Sequence, residues 1–369
     1  MIAHGTAGGA WAEVAEVFAA LPEDPGAQLV VHHDGRLVVD LWSAASGGGD
    51  ALTGIFSATK AAAYLAVARL VDDGVLELSR RIVEYWPEFG GAGKDGLTLR
   101  DLLAHRTGVI GVDGGFTAAE LADDRVLAER LARQQPFWRP GAMYGYHAFV
   151  IGALLGAVVW RATGRTLQQL HADLIRAPYG VDVFLGGASE ERYRPVVRDG
   201  RRTRIPPGSL TEVAFNQNAD PPTDAVEWIN TPHVRALGQA SGGGVASARG
   251  LAGMFAAALW GAAGAPPLVS RQTLAEFAEI SSPGFDRVTG ERSHFGLGFE
   301  VQHLRHPGLT ATAFGHSGVS GTLALADPGH GLTYAYTRQR CTYPGGAAAE
   351  NAALIQAVLR AARGNGRTG

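Results

Sequence analysis

The sequence predicts an α+β fold: an antiparallel sheet of the five-stranded type, flanked by helices and assembled from both chain ends, with a mostly helical domain inserted between. Three observations lead there. Apolar, β-rich runs lie near the two ends of the chain. The long stretch between them carries helical apolar spacing broken by Gly and Pro. Strands and helices are therefore segregated along the chain rather than alternating, which distinguishes α+β from α/β. The expected division is 1–60 with 240–369 for the sheet domain and 61–239 for the insert.

Residues 9–21, GAWAEVAEVFAAL, read as an amphipathic helix. QLVVHH and RLVVDLW, joined by Asp34-Gly35, predict a hairpin, because Asp-Gly supplies the positive φ angles of a tight two-residue turn. Helices are expected within the alanine-rich stretch 54–74 and at 98–108, 117–135, 148–163 and 247–260, and residues 181–230 read as irregular. Toward the C-terminus HFGLGFEVQ, TAFGHSGVSGTLALADP and HGLTYAYTRQ read as three strands, with a turn at Pro328-Gly329 before the last. Residues 347–363 close the chain as a helix.

The composition narrows the function classes. With 369 residues, a net charge of −3 and no long run of one charge sign, the chain has no electrostatic footprint for nucleic acid or an anionic membrane. Cys341 is the one cysteine, which excludes an intrachain disulfide. The first residues lack a basic and then apolar leader pattern, and the longest apolar run, FVIGALLGAVVW, is too short to span a bilayer. A cytoplasmic location is the expectation.

Of 32 basic residues only Lys60 and Lys94 are lysines. Lys60 follows Ser57 by three residues at the start of the alanine-rich helix GIFSATKAAAYLAVARLVDDG. At 100° per residue it shares an apolar stripe with Tyr64, Val67 and Val71, and Ser57 lies within contact range one turn earlier. Burial lowers an amine's pKa, and a helix N-terminus acts in the same direction. Such a lysine can accept a serine proton, which arginine cannot do. An N-cap serine followed by a snorkelling lysine explains the same spacing without chemistry.

Two further stretches bear on that choice. FWRPGAMYGYHAF places Tyr146 shortly after a Pro-Gly turn, and FGHSGVSG carries His316-Ser317-Gly318 on a strand. With SATK, LTLRDLLAHRTGV and SGGGVASARGLAGMFAA, these run in order along nearly the whole chain. In them the sequence resembles the serine β-lactamase and penicillin-binding-protein superfamily, class C-like, and most of all the family VIII carboxylesterases.

The resemblance implies Ser57 as nucleophile, with Lys60 and Tyr146 sharing the base and proton-shuttle role. Tyr144 is the rival tyrosine, for which packing is expected. The oxyanion donors implied are the amides of Ser57 and Val319, with Gly318 permitting close approach of the strand backbone. His316 is expected either to bond the acyl or leaving group or to pack within the strand; Ser317 belongs to the same triplet. Two departures, Ala148 for a frequent Asn and His316-Ser317-Gly318 for Lys-Thr-Gly, remove groups that bind a β-lactam and favour ester hydrolysis. The resemblance implies a small-molecule ester or acyl substrate and no metal or organic cofactor.

Four functions compete: carboxylesterase, acyltransferase on the same scaffold, β-lactamase or D-Ala peptidase, and a non-catalytic module retaining the fold. GAGKDG fits a glycine-rich phosphate loop by letter but follows no strand, so it reads as a plain loop. No G-x-S-x-G elbow occurs. The pairs His32-His33 and His303/His306 read as solvated, His105 as a structural hydrogen-bonding group, His147 as lining the pocket or orienting Tyr146, and Trp138 as loop packing.

Overall fold

Seven antiparallel strands make the central sheet in the computed structural model, which describes residues 1–22, 26–200, 205–342 and 348–365. They are β1 (Ala3–Thr6), β2 (Ala27–His33), β3 (Arg36–Ser43), β4 (Glu300–Val301), β5 (Phe314–Ser317), β6 (Leu323–Asp327) and β7 (Leu332–Arg338). Their spatial order is β1-β3-β2-β7-β6-β5-β4. Strands from the two chain ends therefore meet at the β2–β7 pair, where Tyr334 faces Val31 and Leu332 faces His33. The chain reverses between β2 and β3 at Asp34 and Gly35, whose φ angles of 48° and 75° are those the Asp-Gly dipeptide supplies.

The sheet has two strands more than the sequence reading gives. One is β1, a short edge strand whose AHGT carries no apolar alternation and becomes a strand by pairing Ala3 with Ser43. The other arises because 313–328 is two strands rather than one. The Gly318 amide bonds the Thr322 carbonyl at 2.7 Å, and Gly321 at φ 102° completes the reversal. HFGLGFEVQ, in contrast, supplies only the two residues of β4.

Both faces of the sheet are covered, and the alternation along each strand divides side chains between them. Leu29 and Val31 pack with helices α1 (Ala12–Ala20) and the C-terminal Ala348–Asn365, while Val30 and Ala335 face the opposite side. That opposite side receives helices α2 (Thr59–Asp72) and Ala248–Trp260. The same hydrophobic cluster continues into residues such as Leu127, Leu154 and Val158, so the helices of the middle of the chain share this core with the sheet.

Helix α2 is the inner element. Every residue from Thr59 to Ala68 is buried, so its burial runs right round the helix rather than along one stripe. The alanines explain this, since small side chains let neighbouring layers approach from all directions. Only toward the C-terminus does the helix reach water, where Arg69 pairs with Asp73 at 2.8 Å. Among the described residues no helix is long and apolar enough to cross a membrane.

Candidate active site

The turn Phe56–Ala58 immediately precedes α2 and presents Ser57 at its middle. Phe56 holds φ at 47°, a left-handed conformation that costs a non-glycine residue energy and recurs at functional sites. The turn is fixed from behind: the Ile55 amide bonds the Gly244 carbonyl at 3.1 Å, and Thr59 Oγ1 accepts from the Gly244 amide at 2.9 Å. Ser57 lies in the first turn of this short helix, where backbone N–H groups lack helical acceptors.

Lys60 is fully buried, and its amine has three oxygen neighbours: Ala148 O at 2.6 Å, Ser241 O at 2.7 Å and Ser57 Oγ at 3.2 Å. Burial holds its pKa well below the ordinary lysine value, and the Glu300 charge opposes this only in part. A neutral amine has two N–H donors and one lone pair. The two carbonyls, which can only accept, take the donors. In that neutral form the lone pair is left for the Ser57 hydroxyl, the one neighbour with a proton to give.

Tyr146 comes from the irregular stretch after Pro140-Gly141. Asp286 fixes its backbone, both carboxylate oxygens accepting from the Tyr146 amide at 3.1 Å. Its ring stacks on Phe295 at 5.8 Å and 3°, and Lys60 Nζ lies 4.8 Å from the ring centre. The phenol hydrogen-bonds Ser57; burial nevertheless drives its pKa well above the ordinary tyrosine value, so it stays protonated. Tyr144 turns away, its one hydroxyl proton shared between Gly284 O, at 2.8 Å, and Ser293 O.

These groups open onto a cavity of about 790 Å³, whose walls include Ser57, Tyr146, Ser317, Gly318 and Val319. His316 is not on that wall. It is fully buried behind it, 6.0 Å from the Tyr146 ring and 6.2 Å from the Tyr64 ring, with Nδ1 bonded to Ser317 O at 2.9 Å. Burial pushes its pKa down to about 4. Gly318 makes its close approach to protein rather than to open cavity: a Cβ there would lie 2.4 Å from the Ile55 carbonyl oxygen.

Several residues in the cavity escaped the sequence reading. Glu300 is the foremost, a carboxylate only 6% exposed on the cavity wall. A glutamate inside the apolar run GLGFEV was a usable signal, because buried carboxylates require partners. Arg305 and Phe295 on the same wall, and Asp286, which holds the Tyr146 amide, left no comparable trace. His306 is half-buried and lines the cavity, where the sequence suggested a solvated side chain. His105 and His147 support the site from within: the His147 amide donates to His105 Nδ1 at 3.3 Å, and His147 Nδ1 bonds Gly145 O at 2.7 Å. Trp138 packs in its loop, donating to Met143 O at 3.2 Å.

A second cavity of about 430 Å³, between Trp86, Asp124 and Trp160, contains none of these groups. Among the described residues, no group of three or more His, Cys, Asp or Glu side chains is arranged to hold a metal ion.

Comparison with known proteins matches residues 14–359 to the family described as Beta-lactamase. The solved structure of EstA from Arthrobacter nitroguajacolicus Rue61a superposes with a TM-score of 0.91 at 37% identity, covering 99% of this chain and 100% of that one. A family VIII carboxylesterase superposes with a TM-score of 0.88 at 28% identity, covering 98% of this chain and all (100%) of the other. The esterase/beta-lactamase LipL of Mycobacterium tuberculosis is 28% identical over 342 residues, 86% of this chain and 78% of that protein. Matched from its first helix to its last, this chain belongs to the beta-lactamase family.

Proposed function

We propose that the protein is a serine carboxylesterase that works through an acyl-enzyme on Ser57. The observation that carries this reading is the buried Lys60 amine, 3.2 Å from Ser57 Oγ and held by two carbonyls that, in its neutral form, leave the lone pair for the Ser57 hydroxyl. Ser57 Oγ attacks the ester carbonyl as Lys60 takes its proton. The amides of Ser57 and Val319 receive the oxyanion. Tyr146, kept protonated by burial, donates to the departing alcohol oxygen and is reprotonated from Lys60. Water then attacks the acyl-enzyme by the same route in reverse, releasing the acid and restoring Ser57.

The similarity to EstA and to a family VIII carboxylesterase supports an ester rather than an amide substrate. Ala148 and the buried His316 support it as well, because neither offers the cavity a side-chain donor for a β-lactam.

A 4-nitrophenyl ester assay with the intact protein and Ser57→Ala tests the reading. Activity should fall by roughly four orders of magnitude, while the unfolding free energy changes by no more than about 0.5 kcal/mol. A phosphonate ester should label Ser57, read by peptide mass. Labelling of another serine, or undiminished turnover in Ser57→Ala, overturns it.

A further inference from the structure

We infer that Glu300 occupies, from within the protein, the place where a substrate carboxylate would otherwise be held, and that it thereby restricts the enzyme to esters without a negative charge near the reacting carbonyl. This deepens the esterase reading and rests on it.

The Glu300 carboxylate takes up anion-binding donors on one side of the cavity. Its Oε1 accepts from Ser317 Oγ at 2.9 Å, and its Oε2 accepts from the Ser317 amide at 3.1 Å and from Gln302 Nε2 at 3.2 Å. Arg305 Nη1 lies 3.9 Å from Oε2, and His316 Nδ1 lies 3.7 Å from Oε1. A hydroxyl, a backbone amide and a guanidinium converging on one point are the usual recognition set for a carboxylate. Here a side chain of the same chain fills that set at Ser317, one residue before Gly318 and two before Val319.

The charge is permanent at working pH. Burial alone would raise the Glu300 pKa, but Arg305, His316 and the hydrogen bonds from Ser317 and Gln302 outweigh it and leave the group at about 2. The other formal charges on the lining, Glu291 and Arg292, are of opposite sign, and burial lowers the His306 pKa and favours its neutral form. An incoming carboxylate therefore meets the like charge of Glu300, with Arg305 already beside it, on a lining that Glu291 and Arg292 leave without further net charge. A neutral ester meets no such obstacle.

The test compares 4-nitrophenyl butyrate with mono-4-nitrophenyl succinate, equal in acyl length but differing by a terminal carboxylate. The wild-type protein should favour the neutral ester in kcat/KM by at least about tenfold, as expected for like charges a few ångströms apart. Glu300→Gln keeps the shape and an acceptor for Ser317 but removes the charge and releases Arg305. It should move the ratio of the two kcat/KM values toward the succinate ester by about tenfold or more. Reading the ratio cancels any shared effect of Glu300 on Lys60 or on the strand, so a merely structural role leaves it unchanged. If Glu300→Gln does not fold, Arg305→Gln serves: with Glu300 no longer offset, discrimination against the succinate ester should rise at least about threefold. A ratio unmoved within twofold in the folded variant overturns the inference. Failure of the wild-type protein to hydrolyse either ester would instead count against the esterase reading itself.

Discussion

Gly318 and the Ile55 carbonyl are in such close contact that a Cβ on residue 318 would sit 2.4 Å from the oxygen. The contact joins the end of β5 to the backbone two residues before Ser57. It sets the spacing between the two segments whose amides are proposed to face the oxyanion. Gly318→Ala must push them apart, since the obstructing atom is backbone. The expected result is a loss of kcat of about 100-fold with KM little changed, the scale of an ångström-level misplacement. A folded Gly318→Ala protein with near-normal kcat would show that this spacing does not matter.

Lys60→Arg should reduce kcat/KM by roughly 10²–10⁴-fold, although it keeps a positive charge. A guanidinium stays protonated and has no lone pair for the Ser57 proton. Steady-state kinetics on a neutral aryl ester measure this, and Lys60→Met should be equally impaired.

The pH–rate curve should have an acid limb. Burial lowers the Lys60 pKa, so the amine is active as the free base and loses activity as the pH falls and it takes up a proton. The apparent pKa belongs to the Lys60–Tyr146 pair and should lie well below that of a free lysine. Tyr146→Phe should retain an acid limb from Lys60 while kcat drops by about 10²–10⁴-fold through loss of the proton donor to the leaving group.

Acid should destabilise the fold before ordinary carboxylates titrate. Burial holds His147 and His316 at about 4, His171 at about 3 and His105 well below its usual value. All of them bind protons more readily unfolded, so their contribution is complete above about pH 6.5 and declines as the pH falls toward 4. Each contributes at most about 1.4 kcal/mol per pH unit across that interval. Glu300 acts in the same direction lower down, from 4.5 toward about 2. Urea midpoints recorded between pH 7 and pH 4 should fall steadily; a flat profile would mean that these histidines are not neutral in the folded protein.

The sequence determined the α+β plan, the hairpin at Asp34-Gly35 and the Ser57–Lys60 spacing, because each depends on residues close together in the chain. Its argument from scarce lysine did not discriminate. Lys94 is also buried, its amine bonded to Ala132 O at 2.7 Å and to Gln134 O at 3.2 Å, over the Phe89 ring at 4.6 Å. What separates Lys60 is a hydroxyl among its three partners, supplied by the turn just before its own helix, while the two carbonyls come from residues 148 and 241.

Tertiary structure alone decided the rest. It paired β1 with β3, divided 313–328 into two strands, turned His316 behind the cavity wall and brought Glu300 onto Ser317. None of these follows from local propensity or spacing. The reversal within 313–328 is local; the others are contacts between distant segments whose partners are chosen by packing and by the need of every buried polar group for a hydrogen bond.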